Sequence, residues 1–581
     1  MSQDMLHLAV IQDNPTVGAI EANKRLILDH LDREKRADLV IFPECFLTGY
    51  PLGDLVLRPG FLADVAEAIS DLRREVMERQ GPAVLVGAPL AGATLPYNAA
   101  YLIEPNGVVR VVRKRELPNN DVFDEVRTFA SSDEPNRPLS FRGFNLGIQI
   151  CEDMWHGRVS RGLADELADV LIVINGSPYQ EGKDELRKRI ARARMKDTGL
   201  PLIYCNLVGG QDELVFEGGS FMANPDGTPV EAGAFAPRVM HLALAREGMG
   251  QTRLQLAADL EPSPYPTNHL ASDYNAAVLA LRDYVGKIGA PHVVVGVSGG
   301  LDSALVLTMA VDALGSDRVV GVMMPSEFTS QESLDLAADL MERLEVVQAE
   351  LPIDAMAKVV SDVSRPVVMK LGAKLDRDPS FGITEENYQA RLRGMALMGI
   401  TNALGGIVLS TGNKSEMSVG YATLYGDMSG GYNPLKSVYK SEAFAMARWR
   451  NDQSKLLVAE HCWHDPIPEG IISRPPTAEL SDGQTDAASL GHYEMLDHVL
   501  KSVIEHRCDA ASAARALRAK YSDAKILDWT GGLSAEDYAK KIVRLVRGAQ
   551  YKRDQSCPGV KLNLTDFGLG WRYPIAGDYQ L

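Results

Sequence analysis

Residues 292–314 constrain the fold more than any other stretch. The run HVVVGV (292–297) is strand-length and rich in β-branched residues. It leads directly into GVSGGLDSA (296–304), which in turn opens the apolar segment DSALVLTMAVDAL (302–314). A strand, a glycine turn and a helix in that order belong to a doubly wound, parallel-sheet α/β domain. The paired glycines let backbone come close to a ligand, and the free N–H groups of the helix start favour an anion. Ser298 and Ser303 add hydroxyl donors. A Walker A loop would end in Gly-Lys-Ser/Thr, and this loop has no lysine.

One such domain does not account for 581 residues, which implies two or three domains. A net charge of −17 argues against a broad nucleic-acid or anionic-membrane surface, though not against small anionic substrates. Six cysteines without regular spacing do not form a disulfide framework. The start MSQDMLHLAV lacks a basic region followed by a long apolar run, and no apolar stretch is long enough to span a membrane. The expectation is a soluble cytoplasmic protein with no nucleic-acid or membrane partner.

The chain changes rhythm once. Residues 1–245 are dense in short β-like runs: LHLAVIQ (6–12), ADLVIFPE (37–44), AVLVGA (83–88), NLGIQIC (145–151), DVLIVING (169–176) and PLIYCN (201–206). Helical patterns at 61–79 and 183–198 alternate with them, which reads as an α/β sandwich. Residues 246–272, rich in proline and serine, read as a linker. From 273 to 581 a second α/β pattern runs, with helix 274–288, strands at 292–297, 318–324 and 405–410, and the loop described above.

The loop S-G-G-x-D-S resembles the pyrophosphate-binding loop of the ATP pyrophosphatase family, whose members cleave ATP between the α- and β-phosphates and adenylate a substrate. Further on, STGNKSEMSVGYATLYGDMSGGYNPLKSVYK (410–440) is similar to the signature block of NAD synthetases. MPSEFTSQESLDLA (324–337) and RPPTAEL (474–480) are similar to other segments of that family. The resemblance implies that deamido-NAD is adenylated by ATP and then amidated by ammonia. It places Gly296, Val297, Ser298, Gly299, Gly300, Leu301, Asp302, Ser303 and Thr411 on ATP. It places Asn387, Glu416, Tyr421, Ala422, Thr423, Leu424 and Lys552 on deamido-NAD. Asp302 and Glu416 become candidate Mg²⁺ ligands, since a hard cation takes oxygen donors. Gln550 stands where the family usually has an acidic residue.

Ammonia is mostly protonated in neutral water, so local generation has value. QICEDMWHG (149–157) puts Cys151 at a strand-to-turn junction, directly before two carboxylates that disfavour a thiolate. A compensating positive charge is needed. VIFPECFLTGY (40–50) places Glu44 just past a buried strand, and VVRKRELPNNDVFDEVRTF (111–129) places Lys114 at the end of another. Glu, Lys and Cys in this order resemble the catalytic triad of the nitrilase (carbon–nitrogen hydrolase) family. The likeness implies an α-β-β-α sandwich that hydrolyses glutamine. Cys151 would be the nucleophile, Glu44 the base, and Lys114 the oxyanion donor and compensating charge. Glu152 and Asp153 are expected to point away and hold the turn. Asn120, Glu125, Ser177 and Lys183 fall at glutamine-site positions, with Asn120 where the family motif has tyrosine. Relatives of this kind form homo-oligomers.

Three rivals remain: an ammonia-dependent enzyme with an inactive first domain, an amidotransferase for another acid, and a nucleotide-binding protein. HCWH (461–464) lacks a second ligand cluster and reads as a loop rather than a metal site. Met395, Met398, Met417 and Met428 read as packing residues.

Overall fold

The computed structural model describes residues 5–248, 251–258, 266, 268–459, 463–476, 479–480 and 489–576. The chain divides into two units, Met1–Thr267 and Asn268–Leu581.

In the first unit the β-branched runs form two sheets. The strands of one are β1 (Met5–Gln12), β2 (Leu39–Ile41), β3 (Ala83–Leu90), β4 (Tyr97–Ile103) and β5 (Val109–Arg113). Those of the other are β6 (Leu139–Phe141), β7 (Phe144–Ile150), β8 (Val170–Asn175) and β9 (Leu202–Asn206). A separate hairpin pairs β10 (Val208–Gln211) with β11 (Leu214–Glu217). The chain then adds β12 (Phe221–Ala223) and β13 (Val230–Glu231) to the second sheet, and β14 (Arg238–Arg246) and β15 (Thr252–Leu256) to the first. The first sheet has seven strands, ordered β15-β14-β1-β2-β3-β4-β5, and the second has six, ordered β13-β12-β9-β8-β7-β6.

Side chains alternate faces along a strand, and here both faces are apolar. Leu8, Val10, Ile41 and Leu85 share one core with Ile148, Ile172 and Ile203, so the two sheets pack face to face. The intervening residues Ala9, Ile11, Val40 and Val86 instead join a core with Ile27 and Leu31 of helix Ile20–Arg33 and Val65 and Leu72 of helix Pro59–Arg79. On the far side Leu171, Val173 and Tyr204 pack on helices Gly157–Asp165 and Lys183–Thr198. The result is the expected α-β-β-α sandwich. Each fully buried Leu or Ile contributes about 1.5–3 kcal/mol, so these layers dominate the unit's stability.

Strand β15 lies inside residues 246–272, which the sequence gives as linker. It pairs antiparallel with β14, from Leu242↔Leu256 to Arg246↔Thr252. As an edge strand it fully buries only Leu254, so its sequence shows no apolar alternation.

The second unit holds a parallel sheet of β16 (Val293–Gly296), β17 (Val319–Met323), β18 (Val347–Glu350) and β19 (Ile407–Leu409), ordered β18-β17-β16-β19. The strand order reverses at β16, and the SGGLDS loop leaves its C-terminal end, where such sheets bind ligands. Helix Leu301–Leu314 follows the loop and is buried along nearly its whole length. A helix spans Gly382–Leu404, ahead of β19 and the 410–440 block. C-terminal helices Tyr493–Ile504, Ala510–Lys520 and Ala535–Gly548 form a further core that includes Met417 and Met428. Met395 and Met398 do not pack as expected: they are exposed on helix Gly382–Leu404. Residues 461 and 462 of HCWH lie outside the described residues. Among the described residues no helix is long and apolar enough to cross a membrane.

Candidate active sites

The first site lies at strand ends of the sandwich. Glu44 follows β2, Lys114 follows β5 and Cys151 follows β7. Glu44 and Lys114 have no solvent exposure, and Cys151 is 5% exposed. Lys114 Nζ lies 2.7 Å from Glu44 Oε1 and 2.8 Å from Glu125 Oε2. Glu44 Oε1 also accepts from Asn98 Nδ2 at 2.7 Å, and its Oε2 accepts the Gly176 N–H at 2.7 Å. Tyr50 donates to Glu125 Oε1 at 2.8 Å. Burial opposes the charge on Lys114, but the Glu125 and Glu44 carboxylates outweigh it and hold its pKa well above the ordinary value. Burial also raises the Glu125 carboxyl, against the pull of Lys114.

Cys151 has φ +45° and begins a short 3₁₀ turn, Cys151–Met154. A non-glycine residue in the left-handed region carries strain of about 1–3 kcal/mol, and such strain clusters at functional sites. Burial pushes the thiol well above its ordinary pKa. The Glu44 carboxylate adds to this, Lys114 pulls it down, and Glu152 raises it again. The resting group is therefore a thiol, within electrostatic reach of Glu44 and Lys114.

The two carboxylates after Cys151 differ in role. Asp153 is fully buried and accepts the backbone N–H groups of Ile150, Arg115 and Glu116 at 3.0, 3.0 and 2.9 Å. It holds the turn, as expected, and also ties that turn to the segment carrying Lys114. Glu152 is half-buried, with His156 Nε2 at 3.4 Å, and its charge reaches the thiol.

Of the expected glutamine-site residues, Glu125 and Ser177 are buried near this cluster. Ser177 is fixed by Arg187, whose Nε reaches Ser177 Oγ at 3.1 Å and which pairs with buried Glu217. Lys183 Nζ lies 5.6 Å from the Phe123 ring centroid, so it faces the 115–125 loop. Asn120 is exposed on that loop. Asn98 went unmarked in the sequence, because it interrupts an otherwise ordinary strand run, YNAAYLI (97–103).

The second site is a cavity of about 310 Å³ in the other unit. Gly296 through Ser303, Thr411, Glu416 and Tyr421 line it. The loop braces itself: Ser298 Oγ and Ser303 Oγ are 3.1 Å apart, and Gly300 N–H donates to Ser298 Oγ at 3.2 Å. Gly299 has φ +77°, and a Cβ there would lie 2.2 Å from the Ser333 carbonyl oxygen, so only glycine fits.

Asn387, Ala422, Thr423, Leu424 and Lys552 are not among the residues lining that cavity; they group around the adjoining loop. Thr423 Oγ1 donates to Asn387 Oδ1 at 2.9 Å, and Lys552 Nζ donates to the carbonyls of Gly420 and Ala422 at 2.8 and 2.7 Å. Asp427 and Lys440 of the 410–440 block, Arg474 of the RPPTAEL segment and Arg393 also line the cavity. Lys440 Nζ bridges Asp302 Oδ2 at 2.5 Å and Glu416 Oε1 at 3.4 Å. Asp302 Oδ1 is buried and accepts no hydrogen bond among the described residues. An orphaned carboxylate oxygen beside a second carboxylate fits a hard cation. No cluster of three or more His, Cys, Asp or Glu side chains able to hold a metal occurs among the described residues. Mg²⁺ would suit such a sparse donor set, because it takes one or two carboxylates and completes its shell with phosphate and water.

Comparison with known proteins matches both halves. The carbon–nitrogen hydrolase family matches residues 7–254, and the NAD synthase family matches residues 273–556. A glutamine-dependent NAD(+) synthetase of Rhodobacter capsulatus is 42% identical over 99% of both chains. The chain belongs to the glutamine-dependent NAD(+) synthetase family. The Thermotoga maritima synthetase is 35% identical over 99% of both chains. The solved glutamine-dependent NAD(+) synthetase of Acinetobacter baumannii, in complex with ADP, is 34% identical, covers 98% of each chain and has a TM-score of 0.72. The match to these synthetases runs nearly the whole length of the chain.

Proposed function

We propose that the protein makes NAD by ATP-dependent amidation of deamido-NAD, with ammonia released from glutamine. One observation carries the reading: a buried Glu44–Lys114 pair beside the strained Cys151 occurs in the same chain as a self-braced SGGLDS loop opening on a cavity.

In the first unit Cys151 Sγ attacks the side-chain amide carbon of glutamine while Glu44 takes the thiol proton. Lys114 stabilises the oxyanion that forms. The C–N bond breaks, and Glu44 returns the proton to the leaving ammonia. Water, activated by Glu44, then cleaves the thioester to glutamate and restores the thiol. Ser177, Lys183, Glu125 and Asn120 surround the substrate, with Lys183 facing its α-carboxylate as a point charge.

In the second unit a nicotinate carboxylate oxygen of deamido-NAD attacks the α-phosphorus of ATP, and pyrophosphate leaves. The N–H groups and hydroxyls of the loop hold the pyrophosphate. Thr411 contacts ATP, while Tyr421 and the Asn387–Thr423 and Lys552 cluster face deamido-NAD. Ammonia then attacks the adenylated carboxyl carbon and AMP leaves, giving NAD. Mg²⁺, held by Asp302 and Glu416, would neutralise charge developing on the phosphates. The protein works as a cytoplasmic homo-oligomer.

The test is NAD formation from deamido-NAD and Mg-ATP with glutamine or ammonium chloride, in wild type and Cys151→Ala. The variant should lose only glutamine-driven synthesis. Glutamine-driven synthesis in the variant would remove Cys151 as nucleophile. An absence of NAD with ammonium in both proteins would remove the synthetase reading. Equal, ammonium-only synthesis in both would favour an inactive first domain.

A further inference from the structure

Glu44 is held by three donors. Asn98 Nδ2 and Lys114 Nζ reach its Oε1, each at 2.7 Å, and the Gly176 N–H reaches its Oε2 at 2.7 Å. A carboxylate has about four acceptor positions, so about one remains, and it lies on Oε2. Asn98 is fully buried on β4. Its Oδ1 accepts from the Cys45 thiol at 3.5 Å, which turns its amide nitrogen toward Glu44 and, at 3.5 Å, toward Glu125 Oε1. Its main-chain carbonyl accepts the Lys114 N–H at 2.8 Å. One residue therefore fixes the carboxylate through its side chain and the lysine through its backbone.

We propose that Asn98 is a positioning residue for glutamine hydrolysis: by occupying Oε1 of Glu44 it leaves Oε2 as the oxygen that takes the Cys151 proton. The inference rests on the glutaminase reading above. Without the amide donor, Glu44 can rotate about its terminal bond, and its free acceptor position is no longer set. The like-charged Glu44 and Glu125 also lose the neutral donor between them, leaving Lys114 alone to hold them apart.

The test uses the full-length protein and compares glutamate release from glutamine with ammonium-driven NAD formation. Asn98→Leu keeps the side chain's size and removes the donor. Its kcat for glutamate release should fall about 100-fold, the loss expected for a misplaced catalytic group, with KM within about threefold. Ammonium-driven synthesis should be unchanged. Asn98→Asp adds a carboxyl that can donate only when protonated, so its activity relative to wild type should recover as pH falls. A purely structural role would leave that ratio flat.

Asn98→Leu with wild-type kcat, or with its loss confined to KM, overturns the proposal. So does a pH-independent ratio for Asn98→Asp. If Asn98→Leu fails to fold, losing ammonium-driven synthesis as well, the pH profile of Asn98→Asp decides. Cys151→Ala separates the two readings. Glutamate release surviving in that variant overturns the glutaminase site and Asn98 with it. A dead Cys151→Ala beside a fully active Asn98→Leu overturns Asn98 alone.

Discussion

The Asp153 carboxylate accepts the Arg115 backbone N–H at 3.0 Å, and this bond joins the turn that presents Cys151 to the segment that presents Lys114. Its two other bonds, from Glu116 and Ile150, complete the junction. Asp153→Ala leaves three N–H groups without their acceptor, each costing about 1–3 kcal/mol if it stays dry. The expected outcome is a fall of about 100-fold in glutamine-driven NAD formation, with ammonium-driven formation retained. Equal losses with both nitrogen sources would contradict a role confined to the first site.

Lys440 is the cation between Asp302 and Glu416. Lys440→Met leaves these carboxylates facing each other without it. NAD formation should fall with either nitrogen source. Mg²⁺ alone should raise the variant's unfolding temperature more than that of wild type, because the ion would supply the missing charge. A smaller Mg²⁺ effect in the variant would mean that the two carboxylates do not form the metal site.

The elements that carry the chemistry were legible because each has a local signature. HVVVGV before SGGLDS can only be a buried strand entering a glycine turn, and β16 with its loop follows that pattern. Glu44, Lys114 and Cys151 were singled out by their resemblance, in that order, to the nitrilase triad, and the structure sets Glu44 and Lys114 2.7 Å apart. Asn98 was not legible, and neither were the distant partners of Asp153 and Lys440. The importance of all three comes from partners far away in sequence: 54 residues for Asn98 and Glu44, 38 for Asp153 and Arg115, and 138 for Lys440 and Asp302. Periodicity cannot reveal such pairs. Strand β15 was missed for a different reason, since an edge strand need not alternate. The helix Gly382–Leu404 was missed because it was read together with the glycine-rich stretch that follows it, although Ala, Leu, Met, Glu, Arg and Gln fill more than half of it.

Gly299→Ala should disable the second site selectively. The added methyl meets the Ser333 carbonyl oxygen at 2.2 Å, and the left-handed backbone adds strain of about 1–3 kcal/mol. The loop must shift, and its N–H groups then no longer converge on the departing pyrophosphate. NAD formation should drop with both glutamine and ammonium, and pyrophosphate release should drop in parallel. Normal pyrophosphate release from the variant would show that the loop does not hold the leaving group.

Asp497 gives the second unit a pH-dependent stability. It is buried, accepts from Ser415 Oγ and from the Ser441 N–H at 2.8 Å, and so braces both sides of the Lys440 site. Burial pushes its carboxyl from 3.8 up to about 6, against the lowering effect of those hydrogen bonds. Between these two values the folded state binds more protons than the unfolded state. The contribution of Asp497 to stability therefore falls as pH rises from about 4 to about 6 and is flat beyond. Asp153 and Asp427, also raised to about 6, act in the same direction but are present in both proteins of the comparison. Asp497→Asn removes the titration and adds only a constant offset, because its Oδ1 can still accept the Ser441 N–H while its Nδ2 donates to the Ser415 hydroxyl oxygen. Urea-unfolding midpoints of wild type and variant should thus diverge through pH 4–6, with wild type losing ground as pH rises, and run parallel from pH 6.5 to 7.5. Midpoints that stay parallel through the lower window would mean that the Asp497 carboxyl is not held protonated by its burial.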